Sequence, residues 1–143
     1  MMVIHNIILP FIVSLAGLAL GYLFAFLAPE EVKPGEKYFR WLKRALLLVF
    51  VVVMGYGFFR EGMMIYLVVF TAVGLAVGGL DLFKLKKLPG SGGTSESLVV
   101  LGSYAFFAVA YFLTAEFSVR LLLASLIFLY GLPAGTLLRK GIL

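Results

Sequence analysis

Apolar residues run in five long blocks, over residues 7–28, 45–59, 63–80, 98–115 and 121–138, and polar residues gather between them. A membrane-spanning helix needs about 20 mostly apolar residues, with a range of roughly 17–25. Four of the blocks meet that length. The second is short, and extending it back to residue 42 gives a span of 42–59, with Lys43 and Arg44 snorkelling to the interface. The pattern predicts an all-α, polytopic integral membrane protein. Residues 1–143 then form a single transmembrane domain, a bundle of five transmembrane helices.

The first block reads as a mature span rather than a leader. Residues 1–6 hold no Lys or Arg, and residues 7–28 are longer than a typical signal core.

The polar connections set the orientation. Residues 60–62 and 116–120 are short turns, whereas 29–44 and 81–97 are longer and basic. With 29–44 in the cytoplasm, alternation puts Lys33, Lys37, Arg40, Lys43, Arg44, Lys84, Lys86, Lys87, Arg139 and Lys140 inside. Only Arg60 and Arg120 fall outside. Lys and Arg concentrate on the cytoplasmic side of spans, and Trp and Tyr sit at headgroup level. The run Lys37-Tyr38-Phe39-Arg40-Trp41-Leu42-Lys43-Arg44 combines both signals. The expectation is an outside N-terminus, a cytoplasmic C-terminus and residence in the cell membrane.

Composition agrees. The chain is 63% hydrophobic and 13% charged, against about 25% charged in ordinary globular domains. The net charge of +5 sits between apolar runs rather than in a patch, so the expected partner is the lipid bilayer and not nucleic acid. There is no Cys, which excludes disulfide, thiol and iron–sulfur chemistry. A single His, His5, precedes the first span, so bis-histidine haem and a Ser-His dyad at depth cannot be assembled. No cofactor, metal site or catalytic residue is expected.

Residues 86–97, KLPGSGGTSES after the first Lys, predict a flexible cytoplasmic loop, with Thr94 or Ser95 capping the next helix. Their glycines lack the Lys-Ser or Lys-Thr of a phosphate-binding loop. A shift of 55 positions aligns Tyr56 with Tyr111, Glu61 with Glu116 and Lys84 with Arg139, a weak sign of duplication.

Three patterns nominate residues. Gly17/Gly21, Gly74/Gly78 and Gly131/Gly135 have the G-x-x-x-G spacing, in spans expected to run in the same direction. In lipid, small residues let helix backbones approach closely, so these predict helix packing along one parallel seam. Tyr104, Phe107, Tyr111 and Thr114 share one face of the fourth helix, pointing into protein or lining a solute path. Ser103 and Ser125 are added hydrogen-bonding candidates. Glu61 and Glu116 at the outer turns are interfacial charges, or else an outer-mouth pair. Together these predict a membrane-embedded subunit or scaffold of a larger or homo-oligomeric assembly, with no catalysis of its own. The alternative is a small channel or facilitator that moves a solute between protomers.

Overall fold

The computed structural model describes residues 2–84 and 92–142, with side chains over 4–30, 32–79 and 97–139. The described residues are all helical or in short connections. The five helices are α1 (Met2–Leu27), α2 (Pro29–Arg60), α3 (Met64–Lys84), α4 (Gly92–Leu113) and α5 (Phe117–Ile142).

Three of them are long and apolar enough to cross a membrane. These are Ile4–Leu27 of α1, Val32–Arg60 of α2 and Phe117–Arg139 of α5, with mean hydropathies of 2.3, 1.9 and 2.0. The apolar parts of α3 and α4, Met64–Gly79 and Ser97–Leu113, are shorter. Apolar side chains cover α1 on every side, including its outward faces (Ile8, Ile12, Leu23 and Phe24). In water such a helix would need burial on all sides.

Besides shifts of a few residues at other helix ends, such as α5 starting at Phe117 inside the expected turn 116–120, two boundaries differ from the sequence expectation. Residues 29–44 are not a connecting loop but the first half of α2, which runs unbroken for 32 residues. Pro29 stands at the first helical positions, where its missing N–H costs nothing and its fixed φ favours helix. Glu30 complements the helix dipole there, and Glu36 pairs with Arg40 one turn on. Pro34 is absorbed inside the helix. At the other boundary, α4 starts at Gly92, so Thr94 and Ser95 lie within its first turn instead of ahead of it. The remainder of the expected loop, 86–91, is outside the described residues.

Helix α2 ends by a backbone device. Gly62 takes φ +74°, Met63 N–H donates to the Phe58 carbonyl at 2.9 Å and Gly62 N–H to that of Phe59 at 3.2 Å. This is the αL termination that glycine favours.

Helix α5 is the axis of the bundle, packing against α1, α2 and α4, with α3 closing the bundle between α2 and α4. Helix α1 sits on the outside and touches chiefly α5, although only Ala28 links it to α2. The core is aromatic. The Phe107 ring of α4 lies 4.2 Å from Phe50 of α2 and meets Tyr130 of α5 edge-on at 4.8 Å. All three side chains are fully buried, with Phe58, Leu123 and Ile127 around them.

Candidate functional site

The α1–α5 crossing is a backbone contact. A Cβ added at Gly17 would strike the Phe128 carbonyl, and one at Gly21 the Leu132 carbonyl. Reciprocally, a Cβ at Gly131 would come within 2.6 Å of the Gly17 carbonyl carbon, and one at Gly135 within 2.6 Å of the Tyr22 nitrogen. Residue 17 faces 131 and 21 faces 135, so the two helices run parallel. Gly74 and Gly78 are placed differently. They face side chains, with Val51 and Phe106 around Gly74 and Leu47 at 3.2 Å from a Cβ on Gly78. The three-helix seam expected from spacing is therefore a two-helix seam, and α3 packs instead on α2 and α4. Glycine spacing marks a place for close approach but does not say whether a backbone or a side chain fills it.

The aromatic stripe of α4 faces inward. Phe107, Tyr111 and Thr114 are fully buried, and Tyr104 is half-buried. Thr114 Oγ1 donates to the Ala110 carbonyl at 2.8 Å. The Tyr111 hydroxyl donates to the Ile7 carbonyl at 2.8 Å. Pro10 in α1 has no N–H to give the Asn6 carbonyl, so the bond to Ile7 falls beside this gap in α1's own ladder. The Tyr104 hydroxyl reaches the seam, 2.7 Å from where a Gly131 Cβ would stand, and has no hydrogen-bond partner among the described residues. Ser103 donates to the Val99 carbonyl and accepts from the Tyr130 hydroxyl at 3.0 Å. Ser125 is exposed and bonds only its own helix, at Leu121.

At the end holding the α2–α3 and α4–α5 turns, charges clasp the two hairpins. Glu61 closes α2 through its backbone, and its carboxylate Oε1 accepts from the N–H groups of Ala115 and Glu116 at 3.0 Å each. A carboxylate at that position favours the start of α5. Arg60 pairs with Glu116 at 2.8 Å. Arg120 donates to the Thr114 carbonyl and lies 5.9 Å over the Tyr111 ring. Glu61 and Glu116 are thus brought to one end and both are used in joining turns.

The opposite end is basic. Lys43 does not extend to the surface as expected; it is 2% exposed. It lines a cavity of about 10 Å³ with Arg44, Gly78, Val99, Ser103 and Tyr130, room for about one water. It is not without a partner. A signal for this was present, because Lys43 precedes Leu47, Phe50 and Met54 at helical spacing and so lies on the buried stripe of α2. Arg139 stacks over Phe26 at 4.6 Å, fastening α5 to the end of α1.

His5 is exposed at the start of α1, and the side chain of Asp81 lies outside the described ones. Among the described residues no three His, Cys, Asp or Glu side chains come together as metal ligands. Against protein-family models, curated proteins and solved structures, the chain finds no match.

Proposed function

We propose that this chain crosses the membrane five times, N-terminus outside and C-terminus in the cytoplasm, and serves as a membrane-embedded subunit of a homo-oligomeric or larger assembly. The carrying observation is that the interior is filled. Phe50, Phe107 and Tyr130 stack across the middle of the bundle, and Phe58 and Tyr111 close the level of the turns. A protomer built this way offers other molecules its outward faces. Those of α1 and α3 carry Ile12, Leu23, Ile65, Val68 and Leu75. The orientation is supported by charge, since Arg40, Lys43, Arg44 and Arg139 share one end while Arg60 and Arg120 share the other. Solute movement between protomers draws less support, because Phe107 and Tyr111, which would line its path, lie inside the protomer.

The test is the mass of the intact assembly after gentle extraction from native membranes. Several copies, or copies with foreign subunits, are expected. A single chain carrying only lipid overturns the reading.

A further inference from the structure

Helix α2 is too long for its task as a span. Its 32 residues rise roughly 48 Å at 1.5 Å each, against about 30 Å of hydrocarbon. One outward face runs along its length. Lys33 and Lys37 are exposed near its start, then Trp41 at 71%, Leu48 at 55%, Val52 at 70% and Phe59 at 61%. The spacings of four and seven keep these residues on one side of the helix. Tyr38, 76% exposed, flanks the Trp.

The order along this face is ammonium, indole, aliphatic, which is the order of phosphate, glycerol level and acyl chain in a lipid leaflet. The other cations of the segment are turned to different uses. Arg40 is paired with Glu36 within the helix, Lys43 is buried, and the half-buried Arg44 turns with it to the small cavity against Gly78, Val99 and Tyr130. Lys33 and Lys37 therefore set the charge of this face, with Glu30 exposed beyond them at the helix tip, where the dipole favours a carboxylate.

We infer that this face of α2 selects an anionic phospholipid of the cytoplasmic leaflet, its phosphate held by Lys33, Lys37 and the Trp41 indole N–H and its acyl chain laid along Leu48 and Val52. Charge complementarity carries the assignment. Lys37 is one helical turn above Trp41, roughly 6 Å of rise, so ammonium and indole donors converge on one headgroup. A juxtamembrane amine near an anionic leaflet gains attraction that a zwitterionic lipid does not supply. The inference rests on the membrane placement proposed above.

Trp41 is the only tryptophan, so its fluorescence reports on this face alone. The full chain is reconstituted into zwitterionic vesicles containing a small fraction of lipid brominated in the upper acyl chain, either anionic phosphatidylglycerol or zwitterionic phosphatidylcholine. The expected result is quenching by the anionic species well beyond its mole fraction, a preference of about fivefold or more. That preference should fall toward one in the Lys33→Gln/Lys37→Gln variant, with quenching by the zwitterionic species unchanged. Equal quenching by both lipids overturns the headgroup selection while leaving the membrane placement standing. Preference that survives in the double variant overturns the role of the two lysines. Absence of quenching by either lipid overturns the placement of Trp41 in the membrane, and this inference with it.

Discussion

The Tyr111 hydroxyl holds the Ile7 carbonyl at 2.8 Å, tying the fourth helix to the first turns of the first. The two residues are 104 positions apart, and the bond lands just ahead of Pro10. Seven residues before Tyr111, two turns away on the same face, α4 also carries the contrasting phenol of Tyr104, which finds no partner among the described residues.

Those two tyrosines should answer oppositely to loss of the hydroxyl. Tyr111→Phe keeps the ring against Phe11, 5.3 Å away, and removes only the bond to Ile7. A hydrogen bond between membrane helices is worth about 0.6 kcal/mol on average, with a maximum near 1.7, so a loss of about 1 kcal/mol in detergent unfolding is expected. Tyr104→Phe removes a buried hydroxyl that has no partner among the described residues, and should be neutral or stabilising. Equal losses in the two variants would mean that the bond to Ile7 is not what Tyr111 contributes.

The seam supplies a second comparison. Gly131→Ala places a methyl against the backbone at Gly17 and Leu18, which cannot move without separating the helices. Gly74→Ala meets the Val51 methyl at 2.6 Å, a side chain able to rotate away. A Cβ at Gly102 meets nothing within 4 Å. Overpacking costs typically 1–3 kcal/mol, and about 3 is expected for Gly131→Ala, about 1 for Gly74→Ala. Gly102→Ala should be stabilising, since Ala exceeds Gly in helix propensity by about 1 kcal/mol. Thermal unfolding of the three variants ranks them, and a Gly131→Ala protein as stable as Gly102→Ala would remove the backbone seam.

What the sequence could disclose follows from these contacts. Spacing identified Gly17/Gly21 and Gly131/Gly135 as small-residue positions, yet the same spacing in α3 gave glycines that face Val51, Phe106 and Leu47. Periodicity states which residues share a face and is silent on what stands opposite. The inward face of α4 was legible, because Tyr104, Phe107, Tyr111 and Thr114 recur every third or fourth residue. The bond to Ile7 was not, since it depends on α1 lying beside α4. Residues 29–44 resemble a connection because they are polar and basic between two apolar blocks; Pro29 at the first helical turn starts a helix there instead. Lys43 looked like its neighbour Arg44 by charge, and only its phase with Leu47 and Phe50 separated the two.

The clasp at the turns divides into a strong and a weak half. Glu61 accepts from two backbone N–H groups at the start of α5, and losing a helix-start acceptor costs about 1 kcal/mol. The Arg60–Glu116 pair is solvent-exposed on the Arg side, and exposed pairs contribute a median of about 0–1 kcal/mol. Glu61→Ala is therefore expected to destabilise by about 1 kcal/mol and Arg60→Gln by less than about 0.5. Raising the salt concentration should weaken only the second interaction noticeably. Denaturation at low and high salt reads both, and a larger loss for Arg60→Gln would reverse the assignment.

Orientation is open to a direct chemical reading, because the chain holds no cysteine and any single thiol introduced is the sole site of reaction. Asn6 and Ser118 are exposed at the start of α1 and of α5, and Lys33 is exposed near the start of α2. Gly62 would be a poor choice, since its φ of +74° suits no other residue well. With Arg60 and Arg120 at one end and Arg40, Lys43, Arg44 and Arg139 at the other, the more basic end is expected in the cytoplasm. Asn6→Cys and Ser118→Cys should then react with a membrane-impermeant maleimide in intact cells. Lys33→Cys should react only once the membrane is opened. Parallel packing of α1 on α5 requires residues 6 and 118 to share a side, so labelling of one without the other would contradict the fold itself. Labelling of Lys33→Cys from outside, with the other two protected, would keep the bundle and invert it.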